Sequence, residues 1–233
     1  QLSVMHDLNF EHHPEWLPAR DARHYQRRFR AFAQIAKRIA TVSDHSKEDI
    51  HRFYAVPMDQ IDVVYNAPST AFEPLNPGEK LQARSHWNDG KPYYCFVGSI
   101  HPRKNIQGLL DAHRTYRNEG GSADLLIVGK PMWNEIPSEW QSMTGVRWMG
   151  RLGSKALETL LGGAEGLVYL PHFEGFGIPL VEAMSAGVPV IASNTASLPE
   201  VLGGAGAALV APNDAAAAAS AMLRLDQDPE WRA

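Results

Sequence analysis

From about Tyr93 onward, short apolar runs alternate with segments of helical period. Leu125-Leu126-Ile127-Val128 has no polar member on either face of an extended chain, and four residues are too few for a helix. Such a run reads as a strand covered on both sides. The alternation predicts an α/β fold with a parallel sheet between two helical layers. Strands are expected over Tyr93–Val97, Asp124–Val128, Val146–Met149, Gly166–Leu170 and Val188–Ala192. Helices are expected over Asn105–Arg117, with Ile106, Leu109, Leu110 and His113 on one face, over Ser154–Leu161, with Ser154 as its cap, and over Pro179–Ala186. The alanine-rich run from Ala215 to Leu223 reads as a further helix, since alanine has the best helix propensity. Ligands of parallel sheets bind at the carboxyl ends of the strands. Gly98, Gly129, Gly150 and Pro171 fall at those ends.

The first third is less regular. Leu2–Met5 is an apolar run ending at His6-Asp7. Residues Asp21–Ala40 carry Tyr25, Phe29, Phe32, Ile35, Ala36 and Ile39 on one helical stripe. Thr41-Val42-Ser43 reads as a short strand. Ser43-Asp44-His45-Ser46 offers N-caps for a helix over Lys47–Tyr54, and Ile61–Val64 is another strand. Asn66–Gly78 holds Pro68, Pro74, Pro77 and Gly78, a linker composition. The expected division is a partial Rossmann-like domain at residues 1–66, a linker at 67–78, a ligand-binding domain at 79–225 and a tail at 226–233. Because the chain opens on Gln1 and enters a strand at once, it is expected to be a fragment lacking its N-terminal part.

Bulk properties exclude several classes. The net charge of −4 over 233 residues argues against a nucleic-acid surface. The one cysteine, Cys95, lies in an apolar run, which excludes a disulfide framework and suits a reducing, cytoplasmic compartment. No apolar stretch approaches 18 residues. No carboxylate or cysteine stands at metal-ligand spacing, and His12-His13-Pro14 supplies no supported metal site. There is no Gly-x-Ser-x-Gly elbow.

Three segments carry chemistry. In Glu174-Gly175-Phe176-Gly177-Ile178-Pro179-Leu180-Val181-Glu182, a glycine-punctuated loop leads into a short helix. Proline suits a first helical position, and Gly187 suits the place just past the helix end. The N–H groups of Leu180 and Val181 would then face a diphosphate at the positive end of the helix dipole. Gly175 and Gly177 would let the backbone approach a ligand. Glu174 would accept from sugar hydroxyls, and Glu182 would take the hydroxyls of a ribose. The bland alternative is a turn with two solvated acids. In Gly98-Ser99-Ile100-His101-Pro102-Arg103-Lys104-Asn105, two cations meet a strand-to-helix junction. Cations oppose the dipole at a helix start, which disfavours an unliganded role and suits a diphosphate. His6-Asp7 and Arg151-Leu152 also follow strands. His6 could touch substrate, and the Arg151-Leu152 backbone could read a nucleobase, the alternative there being an ordinary strand-to-helix loop.

These residues resemble those of the retaining, GT-B-fold glycosyltransferases of group 1. The core of the resemblance is Phe173-Glu174-Gly175-Phe176-Gly177-Ile178-Pro179-Leu180-Val181-Glu182-Ala183-Met184, continuing to Ile191. Pro102-Arg103-Lys104-Asn105 is similar to the family's diphosphate loop, Val128-Gly129 to its next strand end, and Leu198-Pro199-Glu200-Val201 to the segment after the last ligand-binding strand. Val64-Tyr65-Asn66 resembles the end of the N-terminal domain, and His6-Asp7 the family's histidine on that domain's cleft face. The resemblance implies transfer of a sugar from a nucleotide donor with retention at the anomeric carbon, without a cofactor or metal. By residue, it implies that Arg103 and Lys104, beside Gly98 and Ser99, hold the diphosphate. Glu174 and the Gly175, Phe176 and Gly177 backbone hold the sugar, and Glu182 the ribose. Arg151 and Leu152 border the base, and His6 contacts sugar or acceptor.

Ser99 departs from the family pattern, where many members have an arginine after the strand-end glycine, and Arg103 is expected to supply that charge. By family likeness, the Pro102–Asn105 run leans towards GDP-mannose and polysaccharide assembly, with a saccharide or lipid-linked acceptor and peripheral association at the inner membrane face. Competing readings are a nucleotide-sugar epimerase or hydrolase, and a fragment that binds nucleotide without catalysis. The sequence does not fix the oligomeric state.

Overall fold

A computed structural model describes residues 1–132, 135–205 and 208–228. In chain order the elements are β1 (Leu2–Val4), α1 (Asn9–His12), α2 (Ala19–Ile35), β2 (Arg38–Thr41), α3 (Asp44–Tyr54), β3 (Ile61–Val63), α4 (Pro77–Asn88), β4 (Tyr93–Val97), α5 (Ile106–Asn118), β5 (Asp124–Val128), α6 (Ser138–Gln141), β6 (Val146–Gly150), α7 (Ser154–Gly163), β7 (Gly166–Tyr169), α8 (Ile178–Ser185), β8 (Val190–Ser193), α9 (Leu198–Leu202), β9 (Ala208–Val210) and α10 (Ala215–Gln227). Two compact units result. The first is Gln1–Ala67 with two excursions, Phe173–Gly177 and Thr195–Val201; the second is Pro68–His172, Ile178–Asn194 and the residues from Leu202 on.

In the first unit β1, β2 and β3 form a parallel sheet in that order. The helical stripe expected over Asp21–Ala40 is corrected here. α2 stops at Ile35, and Ile39 belongs to β2, where it is 1% exposed. β2 is the central strand, hydrogen-bonded on both edges, so extended backbone there satisfies more donors and acceptors than a continued helix would. Tyr25, Phe32 and Ile35 are exposed, while Ala22 and Ala33 face inward with Phe29 partly covered. The core is built from Met5, Leu8, Phe10, Ile39, Ile50 and Ile61. α3 begins at Asp44, three residues before the expected start, because Ser43 is the cap: its hydroxyl accepts from the Ser46 N–H.

In the second unit six strands run in the order β6-β5-β4-β7-β8-β9, every pair parallel. β4, β5 and β7 are buried almost throughout, as their unbroken apolar character requires. α5 packs against α10, and α4 against α7. Within the proline-rich stretch, α4 already opens at Pro77. Asn76 caps it, accepting from the Glu79 N–H at 3.0 Å while the Glu79 carboxylate accepts from the Asn76 N–H at 2.8 Å. α7 departs from expectation in its cap, since Gly153 holds that position and no side chain caps the helix. β8 begins at Val190 rather than Val188 because the Val188 N–H still donates to the Ala183 carbonyl, closing α8 over Gly187 at φ +64°. Of the expected tail, residues 229–233 lie outside the described residues.

One polar knot ties α10 to the sheet. The Tyr94 hydroxyl lies 2.6 Å from the Met222 carbonyl and 2.7 Å from the Asp226 carboxylate, and the Tyr116 hydroxyl donates to the same carboxylate at 2.5 Å. Burial and the neighbouring carboxylate push both phenols up, so they stay protonated donors. Asp226→Ala should cost about 2 kcal/mol, because two buried hydroxyls lose a charged acceptor. Urea unfolding of the full-length protein measures this, with a lower midpoint and unchanged slope expected.

Candidate functional site

Gly98, Gly129 and Gly150 stand at the carboxyl ends of β4, β5 and β6. Pro171 follows β7 by two residues. Gly129 is fixed by contact: a Cβ there would lie 1.8 Å from the Gly98 carbonyl oxygen. Pairing continues past the strands, with Gly98 N–H donating to the Val128 carbonyl at 2.9 Å and Ile100 N–H to the Lys130 carbonyl at 3.0 Å. The loop after β4 therefore leaves the sheet from a rigid base.

That loop makes a single 3-10 turn at Pro102–Lys104, with the His101 ring nitrogen accepting from the Arg103 N–H at 3.2 Å. Asn105 follows at φ +52° and works as a bolt. Its oxygen caps α5 through the Gly108 N–H at 3.1 Å, and its amide donates to the Leu170 and Pro212 carbonyls at 2.9 and 2.7 Å. Sequence reasoning placed Asn105 at the end of the cationic run and as the first residue of the helix, whereas it is the cap and α5 opens at Ile106. The available signal was an amide side chain directly before a helical segment, three residues ahead of a glycine.

Lys104 is 7% exposed. Its ammonium donates to the Tyr169 hydroxyl on β7 and lies 4.9 Å from that ring's centroid, while Tyr169 stacks on Phe96. The positive charge is thus held at the junction of β4 and β7, an arrangement suited to a phosphate anion. Tyr169 was missed because in sequence it is one more member of an apolar run. Arg103 and Ser99 are partly exposed, and the Arg103 carbonyl accepts from the His172 N–H at 2.8 Å.

α8 opens at Ile178, so Pro179 holds the second helical position rather than the first. The Leu180 and Val181 N–H groups still fall among the first four, which have no partner within a helix. Leu180 is buried, and Val181 and Glu182 are partly exposed. Burial raises the Glu182 carboxyl above the usual carboxylate range. Arg151 is exposed and Leu152 partly exposed after β6. An open cavity of about 350 Å³ is lined by Ile100, His101, Ile106, Trp140 and His172 among others. The Trp140 indole donates to the Gln107 side chain at 3.0 Å. Cys95 is fully buried in β4, and burial pushes its thiol well up, away from nucleophile chemistry.

The remaining expected residues belong to the first unit. His6 is exposed just after β1. Gly175 meets it by backbone: a Cβ at Gly175 would lie 2.7 Å from Asp7 Cβ and 2.9 Å from the His6 carbonyl oxygen. The close approach that Gly175 permits is therefore made to His6-Asp7. Gly177 needs its freedom, at φ +95°. Phe173 packs against the rings of His12 and His45, 5.0 and 5.6 Å between centroids, and both histidines face Asp49. The structure brings His6 together with the Glu174–Gly177 loop in one unit. In the other it brings Gly98, Arg103 and Lys104 to the carboxyl end of β4 in the middle of the sheet.

Comparison with known proteins identifies the family. The family model of glycosyl transferases group 1 matches residues 78–233. The chain belongs to that family. It is 35% identical to O-antigen chain mannosyltransferase B of Escherichia coli over 99% of this chain and 62% of that protein. It is 31% identical to the MMP alpha-(1->4)-mannosyltransferase of Mycolicibacterium hassiacum over 87% of this chain and 50% of that one. Among solved structures, Anabaena HepE in complex with UDP-glucose superposes with a TM-score of 0.81 at 17% identity, covering 99% of this chain and 63% of HepE. The chain thus spans less than two thirds of the length of these relatives. The fold is α/β with parallel sheets, of the GT-B type that its structural neighbours share.

The raised pKa of Glu182 has a consequence for stability. Below the carboxyl's unfolded pKa the folded and unfolded forms are both protonated and no penalty arises. As pH rises through the raised folded value, ionising a half-buried carboxylate costs stability. Glu182→Gln should therefore raise Tm by roughly a degree or two at neutral pH, with the gain fading towards pH 4. Thermal melts across pH in the absence of ligand measure it.

Proposed function

We propose that the full-length protein is a retaining mannosyltransferase that takes the sugar from GDP-mannose, or a close nucleotide-diphosphate analogue, and delivers it to a saccharide or lipid-linked acceptor in polysaccharide assembly. The observation that carries this reading is the 35% identity to an O-antigen mannosyltransferase over nearly the whole chain. The family match over residues 78–233 supports it. The named relatives favour transfer over the epimerase or hydrolase reading and over nucleotide binding alone.

In this mechanism the bond from the anomeric carbon to the diphosphate oxygen breaks as a bond forms from the acceptor hydroxyl on the same face. The acceptor's proton passes to the departing phosphate oxygen. Negative charge on the diphosphate is met by Arg103, Lys104 and the first N–H groups of α8, a preorganised set that costs no reorganisation during reaction. Glu174 and the Gly175–Gly177 backbone hold the sugar, Glu182 the ribose and Arg151-Leu152 the base, while His6 contacts sugar or acceptor. Neither carboxylate is assigned as a nucleophile, so the two-carboxylate scheme of glycosidases is not used. No metal is required, since two cations and a helix start supply the countercharge.

Lys104→Ala should lower kcat/KM for transfer by about a hundredfold or more with the fold intact, because a fixed charge at the developing diphosphate is lost. Transfer from GDP-mannose to an oligosaccharide acceptor, followed by product analysis, measures it. Unchanged transfer in this variant would reject the role. Nucleotide binding without any transfer by the unsubstituted full-length protein would reject the function.

A peripheral location at the cytoplasmic membrane face is supported by α2. Arg20, Arg23, Arg27, Arg28 and Arg30 lie within eleven residues of it, and all five are exposed. Arg20, Arg23, Arg27 and His24 share one face with a single carboxylate, Asp21. Tyr25, Phe32 and Ile35 are 42%, 41% and 59% exposed on the same helix. Cations beside exposed aromatic and aliphatic groups suit an anionic bilayer surface, at roughly 1 kcal/mol per basic residue. No helix among the described residues is long and apolar enough to cross a membrane. Replacing Arg20, Arg23 and Arg27 together by Ala should weaken binding to phosphatidylglycerol-containing vesicles about a hundredfold, while binding to neutral phosphatidylcholine vesicles stays weak throughout. Co-sedimentation of the full-length protein measures it.

A further inference from the structure

The loop assigned to the donor sugar is held by side chains that no part of that assignment uses. Ser43, Ser46 and Ser197 are each 0% exposed. The Ser43 hydroxyl donates to the Gly175 carbonyl at 2.7 Å. The Ser46 hydroxyl donates to the His6 carbonyl at 3.1 Å, and the two hydroxyl oxygens lie 3.0 Å apart. The Ser197 hydroxyl donates to the Glu174 carbonyl at 2.9 Å. Each hydroxyl has one proton. Giving each proton to its carbonyl satisfies three backbone acceptors and leaves the Ser43 oxygen free to accept the Ser46 N–H that starts α3.

We propose that Ser43, Ser46 and Ser197 are positioning residues for the transfer reaction. They fix the Glu174-Gly175 peptide and the His6 backbone in one register, so that the Glu174 carboxylate is set on the donor sugar. This role rests on the function proposed above. The helix start supports it from below. Glu200, from the Thr195–Val201 segment, accepts from the Asp44 and His45 N–H groups at 2.7 and 3.2 Å. Ser43 is thus held at the head of a helix whose first donors are already satisfied. The missing Cβ at Gly175 is what lets its carbonyl reach the serine pair while its backbone lies against His6-Asp7. The three serines belong to the first unit and the Arg103-Lys104 loop to the second, which leads to a separable prediction. Loosening the serines should disturb placement of the sugar and leave affinity for the bare nucleoside diphosphate alone.

The test uses the full-length enzyme with GDP-mannose and an oligosaccharide acceptor. Ser43→Ala and Ser197→Ala should each lower kcat by roughly ten- to a hundredfold, the scale expected for a slight misplacement of a reacting group. The Kd for GDP, by titration calorimetry, should stay within about twofold. Ser43→Thr and Ser197→Thr, which keep the hydroxyl, should recover most of kcat. Ser43 also caps α3, so Ser43→Ala lowers Tm as well. Ser197 stands directly before α9, but its hydroxyl proton goes to the Glu174 carbonyl, and Ser197→Ala keeps the test decisive if Ser43→Ala folds poorly. Loss of kcat matched by an equal loss of GDP binding would overturn the positioning role in favour of a purely structural one, as would unchanged kcat in Ser197→Ala. Absence of transfer by the unsubstituted enzyme would overturn the proposed function and this role together, whereas transfer that survives both alanine variants would overturn this role alone.

Discussion

β4 and β7 lie side by side in the six-stranded sheet, although β5 and β6 come between them in the chain. Connections from β4 run towards one edge of the sheet and those from β7 towards the other. With right-handed crossovers, α5 and α8 then cover opposite faces. Above such a junction no helix closes the carboxyl ends of the strands, and the loops there are free to bind. Lys104 leaves the β4 side and meets Tyr169 on the β7 side at this point. Asn105 bolts the same two strands through the Leu170 carbonyl. The diphosphate role assigned to this region depends on that pairing more than on any single side chain.

The junction is stiff because backbone contacts define it. Gly129 has no room for a side chain against Gly98, and ladder hydrogen bonds continue beyond the strands into the loop. A site built on such a base loses little entropy when it binds, since its groups are already held in place. The loop proposed to hold the sugar reaches the same condition by other means. Three buried hydroxyls and a missing Cβ hold Glu174 and Gly175, and Phe173 packs against two histidine rings.

Much of this was legible in the chain. Strands with no polar face, such as Leu125–Val128, announced themselves because a buried parallel strand needs apolar residues on both sides. The strand-end glycines and the Pro102–Asn105 run followed from the same reading. The failures occurred where local pattern and tertiary pairing disagree. Residues 36–40 continue a helical stripe by composition, yet Ile39 is drawn into a central strand by partners on both edges. Tyr169 and Asn105 looked ordinary because their importance comes from residues 65 positions away in sequence.

What the sequence by itself determined was the class of sheet, the identity of the glycine-rich and cationic loops, and the family to which they belong. These depend on residue type and short spacing, which a linear reading contains. What only the tertiary structure decided was how those loops are held. Ser43 and Gly175 are 132 residues apart, and their hydrogen bond exists only because β1, β2 and α3 place a buried hydroxyl beneath a glycine carbonyl. A hydroxyl has no reach of its own: within 3 Å of a buried acceptor it is a fixed constraint, and a few ångströms further away it is nothing, and that distance is set by folding.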